Sequence, residues 1–231
     1  MFDFRQRLET GLHLLGTEIS PASVDHLAIY FAELKKWSRN INLIAKSAGD
    51  EQIVEKHFLD SLTLLPLLGG AGSHLLDIGT GAGFPALVCK AACPELAVTL
   101  VEPREKRVSF LGHMVRTLGL KEVQILSCRV EDETQLPSTA VFSHITARAV
   151  TEIGPLLQMV ERFAPSGPQL VCMKGPRWRE EINAAAEILN RSSFRLDRVV
   201  ECALPFSGAE RRIVIFAARE QLKHNEHNEK I

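Results

Sequence analysis

The chain has 231 residues, 45% of them hydrophobic and 24% charged, with a formal net charge of −1. These are the proportions of a globular domain with a small extension, and no apolar run approaches the ~20 residues a membrane span needs. The near-zero charge excludes a global pull toward nucleic acid, so any RNA surface has to be local.

The opening MFDFRQRLET carries acidic residues and lacks the apolar centre of a signal peptide. The five cysteines, Cys89, Cys93, Cys128, Cys172 and Cys202, form no C-x-x-C pair and read as reduced thiols of a cytoplasmic protein, without a metal role. Residues 1–70 read as helices. Ser20-Pro21 is a helix start, with serine at the cap and proline in the first turn, and Val24, Leu27, Phe31 and Leu34 follow at helical spacing up to Trp37. Ile53, His57, Phe58 and Leu62 make a second apolar face before a turn at Gly69-Gly70.

From His74 the rhythm changes. Strand-like runs at 74–78, 97–102, 123–128, 141–147 and 168–174 enclose helix-like stretches near 85–92, 105–118 and 152–164. This alternation predicts an α/β, doubly wound, mostly parallel sheet over 71–220. Two further runs, 195–204 and 211–218, are separated by Pro205, Ser207 and Gly208 and predict an antiparallel hairpin, giving seven strands. Residues 221–231 read as a polar, frayed tail.

HLLDIGTGAGFP (His74 to Pro85) is a strand ending in Asp77 that opens into a loop with Gly79, Gly81 and Gly83 alternating. A dinucleotide fingerprint needs a third glycine where Phe84 stands, so the loop is related but different. In open parallel sheets the ligand lies beyond the carboxyl ends of the strands. The second strand ends in Glu102, about 20 residues past Gly83, the spacing at which an acid takes ribose hydroxyls. The third runs into Val130-Glu131, where a carbonyl or acid can meet an adenine amine. A ribose for Glu102, an adenine near Val130 and Glu131, a cationic end near Asp77 and Gly79, and no pyrophosphate describe S-adenosylmethionine better than a dinucleotide. The plain alternative is a glycine-rich turn whose strand-end acids are merely solvated.

IGTGAGFP, KRVSFL, CRVED, Ala147-Arg148-Ala149, MKG (Met173 to Gly175) and Glu210-Arg211-Arg212, preceded by KKWSRNINL (Lys35 to Leu43) and EKHFLDS (Glu55 to Ser61), follow one another in a familiar order. The chain resembles the bacterial RsmG family, also called GidB, over residues 20–218. The resemblance implies a Rossmann-like class I fold and transfer of a methyl group from S-adenosylmethionine to guanine N7 of 16S ribosomal RNA. By similarity, Gly79, Phe84, Glu102, Val130, Glu131 and Arg148 match cofactor-binding positions. The chain departs at Ala86, where the family has a fourth glycine-loop glycine, at Pro103-Arg104 after Glu102, and at Ile44 in place of a threonine.

Guanine N7 carries an in-plane lone pair and no proton, so methylating it needs alignment rather than a general base. Arg148, at the end of the fourth strand, is the expected orienting residue; a surface arginine paired with an acid is its plain alternative. His57 and Asp60 share a helix face and read either as substrate contacts or as a structural pair with His57 packed on Phe58. Lys174, Arg177, Trp178 and Arg211 read as an RNA-binding rim or as ordinary surface charge around one packed tryptophan. The expected partner is 16S RNA or the small subunit, met by a monomer. A methyltransferase acting on protein or a small molecule, and a non-catalytic ligand-binding assembly factor, are the competing functions.

Overall fold

The computed structural model describes residues 2–69 and 72–218; Gly70 of the expected turn and the expected 221–231 tail lie outside them. Helix α1 (Phe4–Leu15) is capped by the Asp3 side chain, which accepts from the Gln6 N–H, and it ends at Gly16 with φ 63°. Helix α2 (Pro21–Trp37) starts as expected, the Ser20 side chain accepting from the Ser23 N–H. A third rod begins as α3 (Asp50–Ile53), widens into a π-helical stretch at Val54–Leu59, and closes as α4 (Asp60–Leu62). Such wide turns are rare and cluster at functional sites.

The sheet follows: β1 (His74–Ile78), α5 (Ala86–Ala92), β2 (Ala97–Val101), α6 (Glu105–Thr117), β3 (Val123–Leu126), β4 (His144–Ala147), α7 (Ile153–Val160), β5 (Gln169–Lys174), α8 (Trp178–Ala184), α9 (Ala186–Arg191), β6 (Phe194–Ala203) and β7 (Glu210–Ala218). Strand order is β3-β2-β1-β4-β5-β7-β6. The first five strands run parallel, and β7 pairs antiparallel with both β5 and β6, the expected hairpin. β3 and β4 are shorter than the runs 123–128 and 141–147 that predicted them. The segment read only as a charged rim after β5 is instead two short helices, α8 and α9.

Alternate strand residues divide the interior into two layers. Leu75, Val171, Ile213 and Ile215 face the layer that also holds Leu8, Leu27, Tyr30, Phe58 and Phe110. Leu76, Leu170, Cys172, Val214 and Phe216 face the other, with Ile153, Leu157, Phe163 and Phe194. The N-terminal helices therefore share one continuous core with α5, α6 and a sheet face. Tyr30 is fully buried there, stacks on Phe84 at 5.9 Å, and donates its hydroxyl to the Ala82 carbonyl inside the glycine loop.

Candidate active site

Strand order reverses between β1 and β4, and the crevice at that switch point is where such sheets bind ligands. Two cavities open there. One, about 580 Å³, is lined by Gly79, Pro103, Arg129, Val130, Glu131 and Met159 among others. The second, about 660 Å³, lies beyond β4 and β5 and carries Asp60, Arg148, Glu152, Lys174, Glu181 and Arg211. Val150 lines both.

The glycine loop is held from below and from the side. The Gly79 and Thr80 N–H groups donate to the Val101 carbonyl at 2.8 and 3.2 Å. Asp77 is fully buried; its Oδ2 accepts from Thr80 Oγ1 at 2.7 Å and from the Ala86 N–H at 3.2 Å, tying β1 to the start of α5. Its Oδ1 has no partner among the described residues. Burial, outweighing those hydrogen bonds and the nearby Arg148, pushes the Asp77 carboxyl up to about 7.

The three glycines have three different reasons. All have positive φ, 66°, 64° and 89° for Gly79, Gly81 and Gly83. A Cβ on Gly79 would strike Val150; one on Gly83 would strike the Tyr30 hydroxyl and Leu87; one on Gly81 would meet nothing closer than 3.8 Å. A Cβ on Gly81 would make only ordinary contacts, with Arg107 Nη1 and the Gly79 carbonyl, and the Gly81 N–H donates to Glu102 Oε2 at 3.0 Å. Glu102 Oε1 accepts from the Arg104 N–H at 2.9 Å, and Arg107 stands 3.5 Å from the carboxylate. A carboxylate has about four acceptor positions, so Glu102 retains capacity for further donors.

Phe84 lies away from both cavity walls. It is buried, stacked on the His57 ring at 4.9 Å and beneath the Arg148 guanidinium at 5.2 Å. His57 thus packs on Phe84 rather than on its sequence neighbour Phe58.

The second cavity is organised by a charge cluster. Arg148 donates to the Lys56 carbonyl at 3.0 Å and to His57 Nδ1 at 3.2 Å, and sits 3.6 Å from Asp60 Oδ2. Arg211 Nε donates to Asp60 Oδ1 at 2.8 Å. Burial raises the Asp60 pKa despite both arginines, and burial reinforced by the Arg148 charge lowers the His57 pKa to about 4. His57 is therefore neutral near pH 7, as its acceptor role requires. Between Arg148 and Val150, Ala149 has φ 57°, an uncommon backbone for a residue with a Cβ. That turn sends Arg148 into one cavity and Val150 into the partition.

Lys174 also enters this cavity, 2.7 Å from Glu181 and donating to the Thr151 carbonyl at 3.0 Å. Arg177 is exposed. Trp178 is half-buried against the second core layer, with Arg179 at 5.0 Å over its ring, so neither Arg177 nor Trp178 lines the cavity. Sequence reasoning missed Glu152, Glu181, Ala149 and Val150; the positive φ of Ala149 and the reach of Glu181 to the distant Ile153 N–H leave no local signal. It also missed Glu55, whose carboxylate accepts the Phe206 and Ser207 N–H groups at 2.9 and 2.6 Å and pins the β6–β7 turn. Among the described residues no three His, Cys, Asp or Glu side chains converge as metal ligands, and no helix is long and apolar enough to cross a membrane.

A family model described as rRNA small subunit methyltransferase G matches residues 23–214. The chain belongs to the rRNA small subunit methyltransferase G family. It is 53% identical over 214 residues to the ribosomal RNA small subunit methyltransferase G of Desulfotalea psychrophila, covering 93% of this chain and 98% of that one. The protein of that name from Syntrophotalea carbinolica is 36% identical, covering 91% and 96%. Among solved structures, a SAM-dependent methyltransferase from Aquifex aeolicus matches with a TM-score of 0.53 at 23% identity, covering 81% of this chain and 98% of that one, a likeness of fold. The family's methyl donor is S-adenosylmethionine. The cleft at Gly79 fits it: Glu131 on its wall, the buried Glu102 carboxylate with acceptor capacity to spare, and beneath the loop a buried Asp77 oxygen with no partner among the described residues.

Proposed function

We propose that this chain methylates N7 of one guanosine in 16S ribosomal RNA of the small subunit, using S-adenosylmethionine. The observation that carries the reading is the pair of cavities meeting at Val150, one floored by the glycine loop and the other walled by Arg148, Lys174 and Arg211. The donor supplies an electrophilic methyl group on a sulfonium sulfur. Gly79, Gly81 and the Val130–Glu131 segment form its cleft, and Glu102 offers acceptors for ribose hydroxyls.

The protein's work on the acceptor side is orientation. N7 loses no proton, so the cavity needs rigid walls rather than a base, and alignment alone supplies on the order of 7–11 kcal/mol. Arg148 has those walls: its guanidinium is fixed by Lys56, His57 and Asp60, and the neutral His57 adds no competing charge. Arg177, exposed beyond the rim, extends a phosphate-binding track. Both cavities come from one chain, which suits a monomer, and five free thiols suit a cytoplasmic enzyme.

The test is chemical. N7 methylation leaves a cationic purine whose imidazole ring opens on mild reduction, so amine treatment should cut the RNA at one guanosine, only after incubation with enzyme and donor. Label entering RNA without a cleavable site overturns N7; label entering protein overturns RNA as substrate.

A further inference from the structure

Six charged side chains line the second cavity, and five are engaged. Asp60 holds Arg148 and Arg211; Glu181 holds Lys174. Glu152 alone of the six has no hydrogen bond or ion pair from its carboxylate among the described residues. The reason is local. Glu152 occupies the cap position of α7, but it is not one of the short side chains that cap helices, and it makes no cap bond. The first N–H of α7, that of Ile153, donates to Glu181 at 3.2 Å. Glu152 is solvent-exposed and lines the cavity two residues beyond Val150, so its carboxylate is free to meet a ligand there.

We propose that Glu152 reads the target base, its carboxylate accepting the N1–H and the exocyclic N2–H of guanine and so setting guanine specificity. The inference rests on the guanine-N7 reading above. Guanine presents two neighbouring donors on its pairing edge, at N1 and N2, and two acceptors, O6 and N7, on the edge that must face the donor cleft. A carboxylate is acceptor-only and has two oxygens for two such donors. Adenine turns an unprotonated N1 toward the same place, and lone pair against carboxylate is repulsive, so one side chain both selects and rejects. The cavity's cations are suited to O6, and its remaining acids are already paired.

The test compares RNA carrying guanosine with RNA carrying inosine at the labelled position, since inosine keeps N7, O6 and N1–H but lacks the 2-amino group. Wild-type enzyme should lose about tenfold or more in kcat/KM on inosine RNA. Glu152→Gln and Glu152→Ala should lose about as much on guanosine RNA, and their guanosine-to-inosine ratio should fall toward one. Donor affinity, read by calorimetry, should stay at the wild-type value, which also reports an intact fold. Wild-type enzyme that treats both RNAs alike overturns the proposal, as does a variant that keeps the full ratio. Complete loss of turnover on both RNAs with donor binding intact also overturns it, being the mark of a catalytic group. A wild-type enzyme that labels no guanosine RNA fails the parent reading instead.

Discussion

Gly79 and Val150 touch where the two cavities join: a Cβ added at Gly79 would lie 2.7 Å from Val150 Cγ2. The contact fixes how far the glycine loop stands from the turn that carries Arg148. Gly79→Ala imposes both that collision and a φ of 66°, which costs a residue with a Cβ about 1–2 kcal/mol. Donor affinity should fall by about tenfold or more. Adding Val150→Ala should return part of the loss, because it removes the collision and leaves the backbone strain. Calorimetry that finds Gly79→Ala unchanged would take the loop out of donor binding.

Glu102→Ala should weaken donor binding by about 1.5–3 kcal/mol, the scale of a hydrogen bond to a charged acceptor. It also frees the Gly81 and Arg104 N–H groups, so the loop itself loosens. A donor analogue lacking both ribose hydroxyls separates the two effects. It should lose affinity for the wild-type enzyme and little more for the variant; simply additive losses would show that Glu102 shapes the loop without touching ribose.

Asp60→Ala leaves Arg148 and Arg211 side by side without the carboxylate that separates them. Removing one member of a buried pair costs about 3–5 kcal/mol, and the partial exposure of both arginines places this case at the low end. The melting temperature should fall, and Arg211→Ala in the same chain should restore part of it. Turnover should drop more than donor affinity does, since the cluster faces the acceptor cavity.

Two groups, the buried Asp77 and the half-buried His57, give the pH dependence opposite slopes. The Asp77 carboxyl, ordinarily near 3.8, is raised to about 7, so the folded chain holds a proton that the unfolded chain releases, and this group's contribution falls as pH rises between those values. The His57 ring, ordinarily near 6.5, is lowered to about 4; the unfolded chain binds the proton first, so its contribution falls as pH drops from 6.5 toward 4. Measured as differences from the wild type in denaturant melts, Asp77→Asn should gain stability relative to it as pH rises from 4 to 7. His57→Phe should gain relative to it as pH falls from 6.5 to 4. Two parallel profiles would show that neither proton is held as the structure holds it.

Much of the scaffold was legible because its signals are local. Ser20-Pro21, the five alternating runs after His74 and the turn residues Pro205 to Gly208 each act within a few positions. Helices α8 and α9 escaped because the apolar positions Trp178, Ile182, Ala185 and Ile188 are interrupted by charges that drew attention as an RNA rim. The site was legible only by strand ends. What joins them is long-range: Asp60 to Arg211, Glu55 to Phe206 and Ser207, Glu181 to the Ile153 N–H at the start of α7. Phe84 shows the same limit, since its place in the motif says nothing of the His57 and Tyr30 rings that enclose it.

The Glu55 and Asp60 contacts also bear on the order in which the chain is made. Synthesis delivers the N-terminal segment first, and domains generally begin to fold as they emerge. Here the rod running from α3 to α4 emerges with two carboxylates whose partners, Phe206, Ser207 and Arg211, follow some 150 residues later. The same holds in miniature for Tyr30, whose acceptor is the Ala82 carbonyl. At a typical synthesis rate of about 5–20 residues per second, that helix waits on the order of ten seconds or more for its last contacts. A segment that leaves the ribosome well before its partners is among the last to be finished.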